Sequence, residues 1–150
     1  MGLDKTAIKT GLADVKWAGR FEVIENSSGG LVIDGAHNPH GALALRESLD
    51  KNFPNGKRIW LFGVLGDKDF GTMIKILFRP DDFVIVTKPD SERAADPEII
   101  CEILHKRGID CMAVENNFMA VEQLKNSDCD VKIIAGSLYL IGAVRKFFIA

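Results

Sequence analysis

Cysteine is scarce in this 150-residue chain: Cys101, Cys111 and Cys129 are an odd set with no Cys-x-x-Cys spacing. That argues against a disulfide framework or a zinc site, and the thiols read as reduced, small apolar residues of a cytoplasmic protein. An excess of charge is missing too, since 19 Lys and Arg face 21 Asp and Glu, formally −2. No electrostatic footprint for nucleic acid or an anionic membrane follows from such a balance. Long hydrophobic runs are lacking. The longest apolar stretch, "IIAGSLYLIGAV" (Ile133–Val144), is too short to span a bilayer and carries Gly-Ser in its middle. It reads as a buried strand, a turn and a helix. The amino terminus, "MGLDKTAIKT", has no apolar signal core, so a soluble protein is expected. Three nucleotide or nucleophile signatures are absent as well. No G-x-G-x-x-G follows a strand, no G-x-S-x-G elbow occurs, and no G-x-x-x-x-G-K-[ST] order is found.

What is present is alternation. Strand-like and helix-like segments follow one another from Leu31 to the end. "LVI" leads to a helix over Pro39–Phe53, Arg58–Val64 to one over Phe70–Phe78, and Asp82–Thr87 to one over Pro97–Arg107. Asp110–Glu115 leads to a helix over Phe118–Lys125, and Val131–Ala135 to a last one over Leu138–Phe148. Short connections and almost uniformly apolar strands predict a mostly parallel sheet covered on both faces. Upstream, "FEVIE" (Phe21–Glu25) meets "LVID" through "NSSGG", a hairpin that adds one antiparallel edge strand. The first fifteen residues read as a helix or a connecting arm. The fold class is therefore α/β: a Rossmann-like three-layer domain of about six strands, five parallel and one antiparallel at the edge. A chain of this length suits one domain, burying roughly two-thirds of its unfolded surface.

Ligands of open α/β sheets bind beyond the carboxyl ends of the parallel strands. The unusual residues fall there. "LVIDGAHNPHGA" (Leu31–Ala42) ends its strand in Asp34 and leads through His37 and Asn38 into a helix. The next strand ends in "GVLGDKD" (Gly63–Asp69), the third in Thr87-Lys88-Pro89, and the last in Ala135-Gly136-Ser137. Each feature also has a structural reading. Asp34 and Asn38 either meet a ligand or organise the turn and cap the helix. Ser137 is an N-cap that also meets a ligand or does not. Asp69 caps a helix, and Trp17 and Trp60 serve packing. Lys88 and Arg93 also fit ordinary surface charges, and His105 a solvated helix face. His37 and His40 lack companions that would complete a metal set, so no metal site is expected. Read from the residues alone, the domain presents a polar rim suited to a phosphate-bearing or carboxylate ligand, with the reaction left open.

Four stretches in order, "WAGRFE" (Trp17–Glu22), "DGAHNPHG" (Asp34–Gly41), "GVLGDKD" and "AGSLYLIGAVR" (Ala135–Arg145), resemble a known family. They are similar to the carboxyl-terminal domain of dihydrofolate synthase/folylpolyglutamate synthase, within the Mur ligase superfamily. One departure is Ala18, where the family usually has proline; Arg20 is kept. The resemblance implies an ATP-dependent amide ligase that adds L-glutamate to dihydropteroate or a folylpolyglutamate through an acyl phosphate. It implies that residues 1–150 form one glutamate-ligase domain, and that an amino-terminal P-loop domain is the partner carrying most of the Mg2+ and folate contacts. Alone, the domain is expected to be inactive. By motif, Arg20 would reach the ATP phosphates, and Asp34 the ribose or the order of the closed cleft. His37 and Ser137 would hold glutamate, while Asn38, Asp67, Lys68 and Lys88 would shape the rim. Two other readings remain: another Mur-type amino-acid ligase, with different residues usual after the Asp, or a stand-alone, non-catalytic binding module.

Overall fold

The computed structural model describes residues 19–26 and 29–149. Trp17, Ala18, the proposed amino-terminal arm and the tip of the hairpin turn lie outside the described residues. Strand β1 (Glu22–Asn26) pairs antiparallel with β2 (Gly29–Asp34), as a hairpin should. Then come α1 (Pro39–Asn52), β3 (Arg58–Phe62), α2 (Phe70–Leu77), β4 (Phe83–Val86), α3 (Pro97–Lys106), β5 (Asp110–Ala113), α4 (Asn117–Lys125), β6 (Val131–Ala135) and α5 (Leu138–Val144). The six strands lie in the order β1-β2-β6-β3-β4-β5, with every pair from β2 onward parallel. The expected α/β fold with one antiparallel edge strand is therefore the observed one.

Period-two alternation divides the strand side chains between two cores. Val32, Trp60, Phe62, Val84 and Ile133 pack with Leu45, Leu49, Ile74 and Leu104 on the side of α1, α2 and α3. Leu31, Ile33, Leu61, Ile85 and Ile134 pack with Val121, Leu124, Leu140 and Val144 on the side of α4 and α5. Burial at all five positions of β3 and β6 accounts for sequences that are apolar except for Arg58 and Lys132. Trp60 is fully buried and meets Phe78 edge-on at 4.9 Å. Edge strand β5, by contrast, alternates exposed and half-buried residues.

Helix starts follow the predicted punctuation. Asn38, Asp69, Asp96 and Ser137 each accept a backbone N–H of the helix they precede. Gly108, at φ +72°, takes the left-handed conformation that ends α3. The last helix is shorter than its apolar sequence suggests. It leaves α geometry at Val144 and closes with a 3₁₀ turn over Arg145–Phe147.

Buried cations are satisfied locally. Lys132, the second residue of β6, donates its ammonium to the carbonyl of Lys125 in the last turn of α4 at 3.0 Å. On the other side, Asp50 gathers Arg46 at 2.8 Å, Arg79 at 3.0 Å and Arg58 at 3.7 Å. Partial burial alone would raise the Asp50 carboxyl. Arg46, by hydrogen bond and charge, then Arg79 and Arg58, overcome this and hold it below the usual carboxylate range. Because the folded state binds that proton less readily than the unfolded chain, the stabilisation is present above about pH 4 and is lost as pH falls through the depressed value. Asp50→Asn is expected to cost about 1–2 kcal/mol at neutral pH, discounted because the side chain is 40% exposed. Urea denaturation of variant and wild type should converge on acidification.

Candidate functional site

Strand β2 leaves the sheet at Asp34, whose carboxylate organises the turn into α1. Its Oδ1 accepts the Ala36 N–H at 2.8 Å, closing an Asx turn. Its Oδ2 accepts the Phe21 N–H at 2.9 Å, from a loop thirteen residues upstream. The same loop is joined by Gly35, which donates its N–H to the carbonyl of Gly19 at 2.5 Å. Gly19 has φ +76° and Phe21 φ +41°. Left-handed backbone costs a bulky residue such as Phe21 on the order of 1–3 kcal/mol, and the Asp34 contact offsets part of it. Burial pushes the Asp34 carboxyl above its ordinary value, while the Ala36 and Phe21 amides and the nearby Arg20 pull it back only in part.

Turn and loop enclose a cleft of about 400 Å³ over the start of α1. Arg20, His37, Asn38 and His40 line it, with Phe21, Ala44, Leu45 and Leu138 as apolar wall and Ser48 at its far end. Arg20 is exposed and, among the described residues, makes no hydrogen bond or ion pair. His37 holds its Nδ1 2.8 Å from the carbonyl of Gly35. A carbonyl can only accept, so Nδ1 carries the proton, and Nε2 is an acceptor while the ring is neutral and a donor once it is protonated. Asn38 spends its side-chain oxygen on the Gly41 N–H at 2.7 Å. An exposed guanidinium and two imidazoles at a helix N-terminus give the cleft donors suited to an anion. The only carboxylate among the described lining residues is Asp34, and both its oxygens face backbone amides.

Arg20, Asp34, His37 and Asn38 are thus brought together. Ser137 is not among the lining residues: it is 2% exposed and its Oγ accepts the Tyr139 N–H at 3.0 Å. Gly136, just before it, packs tightly against the backbone of Gly63, and it is Leu138, the next residue after Ser137, that reaches the cleft. Asp67, Lys68 and Lys88 lie past the ends of β3 and β4 and do not line the cleft either. Asp67 pairs with Arg93 at 3.1 Å and Lys88 with Glu115 at 3.9 Å, while the Lys68 amide closes a turn onto Leu65. His105 is exposed as expected, yet its Nε2 sits 3.3 Å from the Cys111 sulfur. Sequence reasoning passed over Phe21, Ala44, Ser48 and Leu138. The spacing Gly41, Ala44, Leu45, Ser48 marks one face of α1, and its small residues were the available signal.

Fold and site together define a Rossmann-like α/β lobe with a cleft lined by Arg20, His37 and His40 at the carboxyl edge of its sheet. A family model described as Mur ligase, glutamate ligase domain, matches residues 19–138, and the chain belongs to that family. A probable bifunctional folylpolyglutamate synthase/dihydropteroate synthase of Halobacterium salinarum is 31% identical over 147 residues, covering 96% of this chain and 18% of that protein. Folylpolyglutamate synthase of Mycobacterium tuberculosis, solved with ADP and AMPPCP, superposes with a TM-score of 0.78 at 33% identity, over 99% of this chain and 36% of that one. The bifunctional folylpolyglutamate synthase/dihydrofolate synthase of Yersinia pestis, solved with AMPPNP and a manganese ion, gives 0.79 at 26% identity over 99% and 35%. The chain therefore spans about a fifth to a third of the length of these relatives. Among the described residues no helix is long and apolar enough to cross a membrane. Nor do three or more His, Cys, Asp or Glu side chains there form a set able to hold a metal ion.

Proposed function

We propose that this chain is the glutamate-ligase lobe of a cytoplasmic, ATP-dependent ligase of the folylpolyglutamate synthase type. The reaction joins the amine of L-glutamate to a carboxylate of dihydropteroate or of a folate's glutamate tail. That carboxylate attacks the γ-phosphorus of ATP and ADP leaves. The glutamate amine then attacks the acyl carbon, loses a proton and expels phosphate. Such chemistry depends on positioning and charge neutralisation, which the cleft at the start of α1 supplies. The observation that carries this reading is the convergence of exposed Arg20 with His37 over that helix start, ordered by Asp34.

Arg20 reaches the ATP phosphates as a planar cationic fork. His37 meets glutamate, accepting from its amine while neutral or donating to a carboxylate once protonated. Asp34 orders the cleft through its two amide contacts. Ser137, itself outside the cleft, serves glutamate only indirectly, by capping the start of α5, whose Leu138 forms part of the cleft wall. Asn38 shapes the helix start, and Asp67, Lys68 and Lys88 form the outer rim. The cleft's carboxylate is committed to two backbone amides. The Mg2+ ligands, the P-loop and most of the acceptor site belong to an amino-terminal lobe.

The chain alone is expected to release no ADP from ATP, glutamate and dihydropteroate. Joined to a P-loop lobe of the family, it should support release that requires L-glutamate and is not driven by L-alanine or diaminopimelate. Glutamate-dependent ADP release by the chain alone would overturn the division of labour. A preference for alanine or diaminopimelate would move the protein to another branch of the ligases.

A further inference from the structure

The turn that carries Arg20 adopts a bend that its sequence does not favour. Phe21 has φ +41° and is the one non-glycine residue with positive φ among those described. A bulky side chain makes that conformation costly, so it persists only where the surroundings over-determine it. Here several attachments do so. Asp34 holds the Phe21 N–H at 2.9 Å, and the Gly19 carbonyl receives the Gly35 N–H. The Gly19 N–H reaches Glu22 Oε2 at 3.4 Å, on a carboxylate that also takes both arms of Arg145. The half-buried Phe21 ring packs against the core on the side of α1, α2 and α3, and forms part of the cleft wall.

Arg20, between these two anchored residues, has no anchor of its own. Its side chain is exposed, makes no hydrogen bond or ion pair among the described residues, and lines the cleft. A long side chain without partners samples many rotamers, so its reach is governed by the direction in which the backbone launches it. The dihedrals of the turn set that direction. Glycine at position 21 would adopt the bend without strain and leave it as easily. Phe21 supplies a ring seated on the core, which glycine lacks. We propose that Phe21 is a positioning residue for Arg20: its ring on the core and its amide on Asp34 keep the turn in the left-handed bend that launches the guanidinium over the cleft. The use made of that placement rests on the reading of Arg20 as a phosphate contact; the placement itself does not.

The test is NMR relaxation of the backbone amides in the whole chain, comparing wild type with Phe21→Gly and Phe21→Leu. In wild type the Arg20 amide should be as rigid as those of β2. Phe21→Gly is expected to make it mobile on the picosecond-to-nanosecond timescale, with the indole signal of the fully buried Trp60 unmoved. Phe21→Leu, which keeps an apolar anchor, should stay close to wild type. If the glycine variant does not fold, Asp34→Ala, which frees the Phe21 N–H and leaves the ring, must mobilise Arg20 in its place. An Arg20 amide that stays rigid in the folded variant overturns the proposal. So does a Phe21→Leu as mobile as Phe21→Gly, or a Trp60 signal that moves with Arg20 and marks general loosening. In the ligase assembled with a P-loop lobe, Phe21→Gly should lower kcat/KM by up to about 10²-fold, yet change nothing once Arg20 is alanine. Effects that simply multiply would show that Phe21 does not act through Arg20, and would also overturn it. If Arg20→Ala leaves turnover unaltered, the phosphate reading falls while the relaxation result stands.

Discussion

Gly136→Ala is expected to be the most damaging glycine-to-alanine change among the described glycines. Gly136 has φ +116°, and a Cβ there would stand 2.3 Å from the carbonyl oxygen of Gly63, 2.9 Å from the Phe62 ring and 3.0 Å from the Gly63 carbonyl carbon. Two of those neighbours are backbone of β3's exit, which cannot swing aside. Gly63 repeats the situation one strand further along, where a Cβ would meet the carbonyl oxygen of Thr87 at 2.8 Å. The ends of β6, β3 and β4 are thus stacked main chain against main chain. Steric overlap and left-handed strain act together, so a loss of more than about 4 kcal/mol is expected. The variant should be mostly unfolded or insoluble at 37 °C. Gly142→Ala is the internal control. It lies in α5 with nothing within 4 Å of its would-be Cβ, and alanine there should stabilise by about 0.5–1 kcal/mol. Urea midpoints for the two variants should move in opposite directions. A folded Gly136→Ala with a near-wild-type midpoint would contradict the stacked rim.

The second large effect concerns turnover. In the ligase assembled with a P-loop lobe, Arg20→Ala is expected to lower kcat/KM by about 10²–10³-fold, the usual cost of removing one preorganised donor from developing charge. Arg20→Lys should restore only part of it, because an ammonium cannot span two phosphate oxygens as a guanidinium does. Stability should be nearly untouched, within about 0.5 kcal/mol, since Arg20 is exposed and unpaired among the described residues. Loss of activity with an unchanged unfolding midpoint separates a contact with the reacting ligand from support of the fold. Equal turnover by wild type and Arg20→Ala would remove Arg20 from the site.

The architecture was legible because its signals are local. Mostly apolar strands, Asn38-Pro39 and Asp96-Pro97 at helix starts, and Gly108 at a helix end each report on a few neighbouring residues. The boundaries that slipped, such as α5 stopping at Val144, lie where hydrophobicity continues after the helical hydrogen bonds change. Half of the site was legible for the same reason, since His37 and Asn38 follow Asp34 in one motif. What escaped is non-local. Nothing in the order of residues announces that Asp34 reaches back to Phe21, or that Glu22 is held by Arg145. Likewise, the burial of Ser137 is a property of tertiary packing that its position before a helix does not report.

Lys132 has a consequence for how the sheet finds its alignment. It sits opposite Leu31 on one neighbour and Ile59 on the other, on the face covered by α4 and α5. Sliding β6 by one residue would turn the ammonium to the opposite face, among the neighbours of Val32 and Trp60, far from the helix-end carbonyl that now receives it. Apolar strands by themselves tolerate such slippage, because one aliphatic row resembles the next. A single charge with one acceptable exit therefore works as a registration pin for the central strand, and through it for both halves of the sheet.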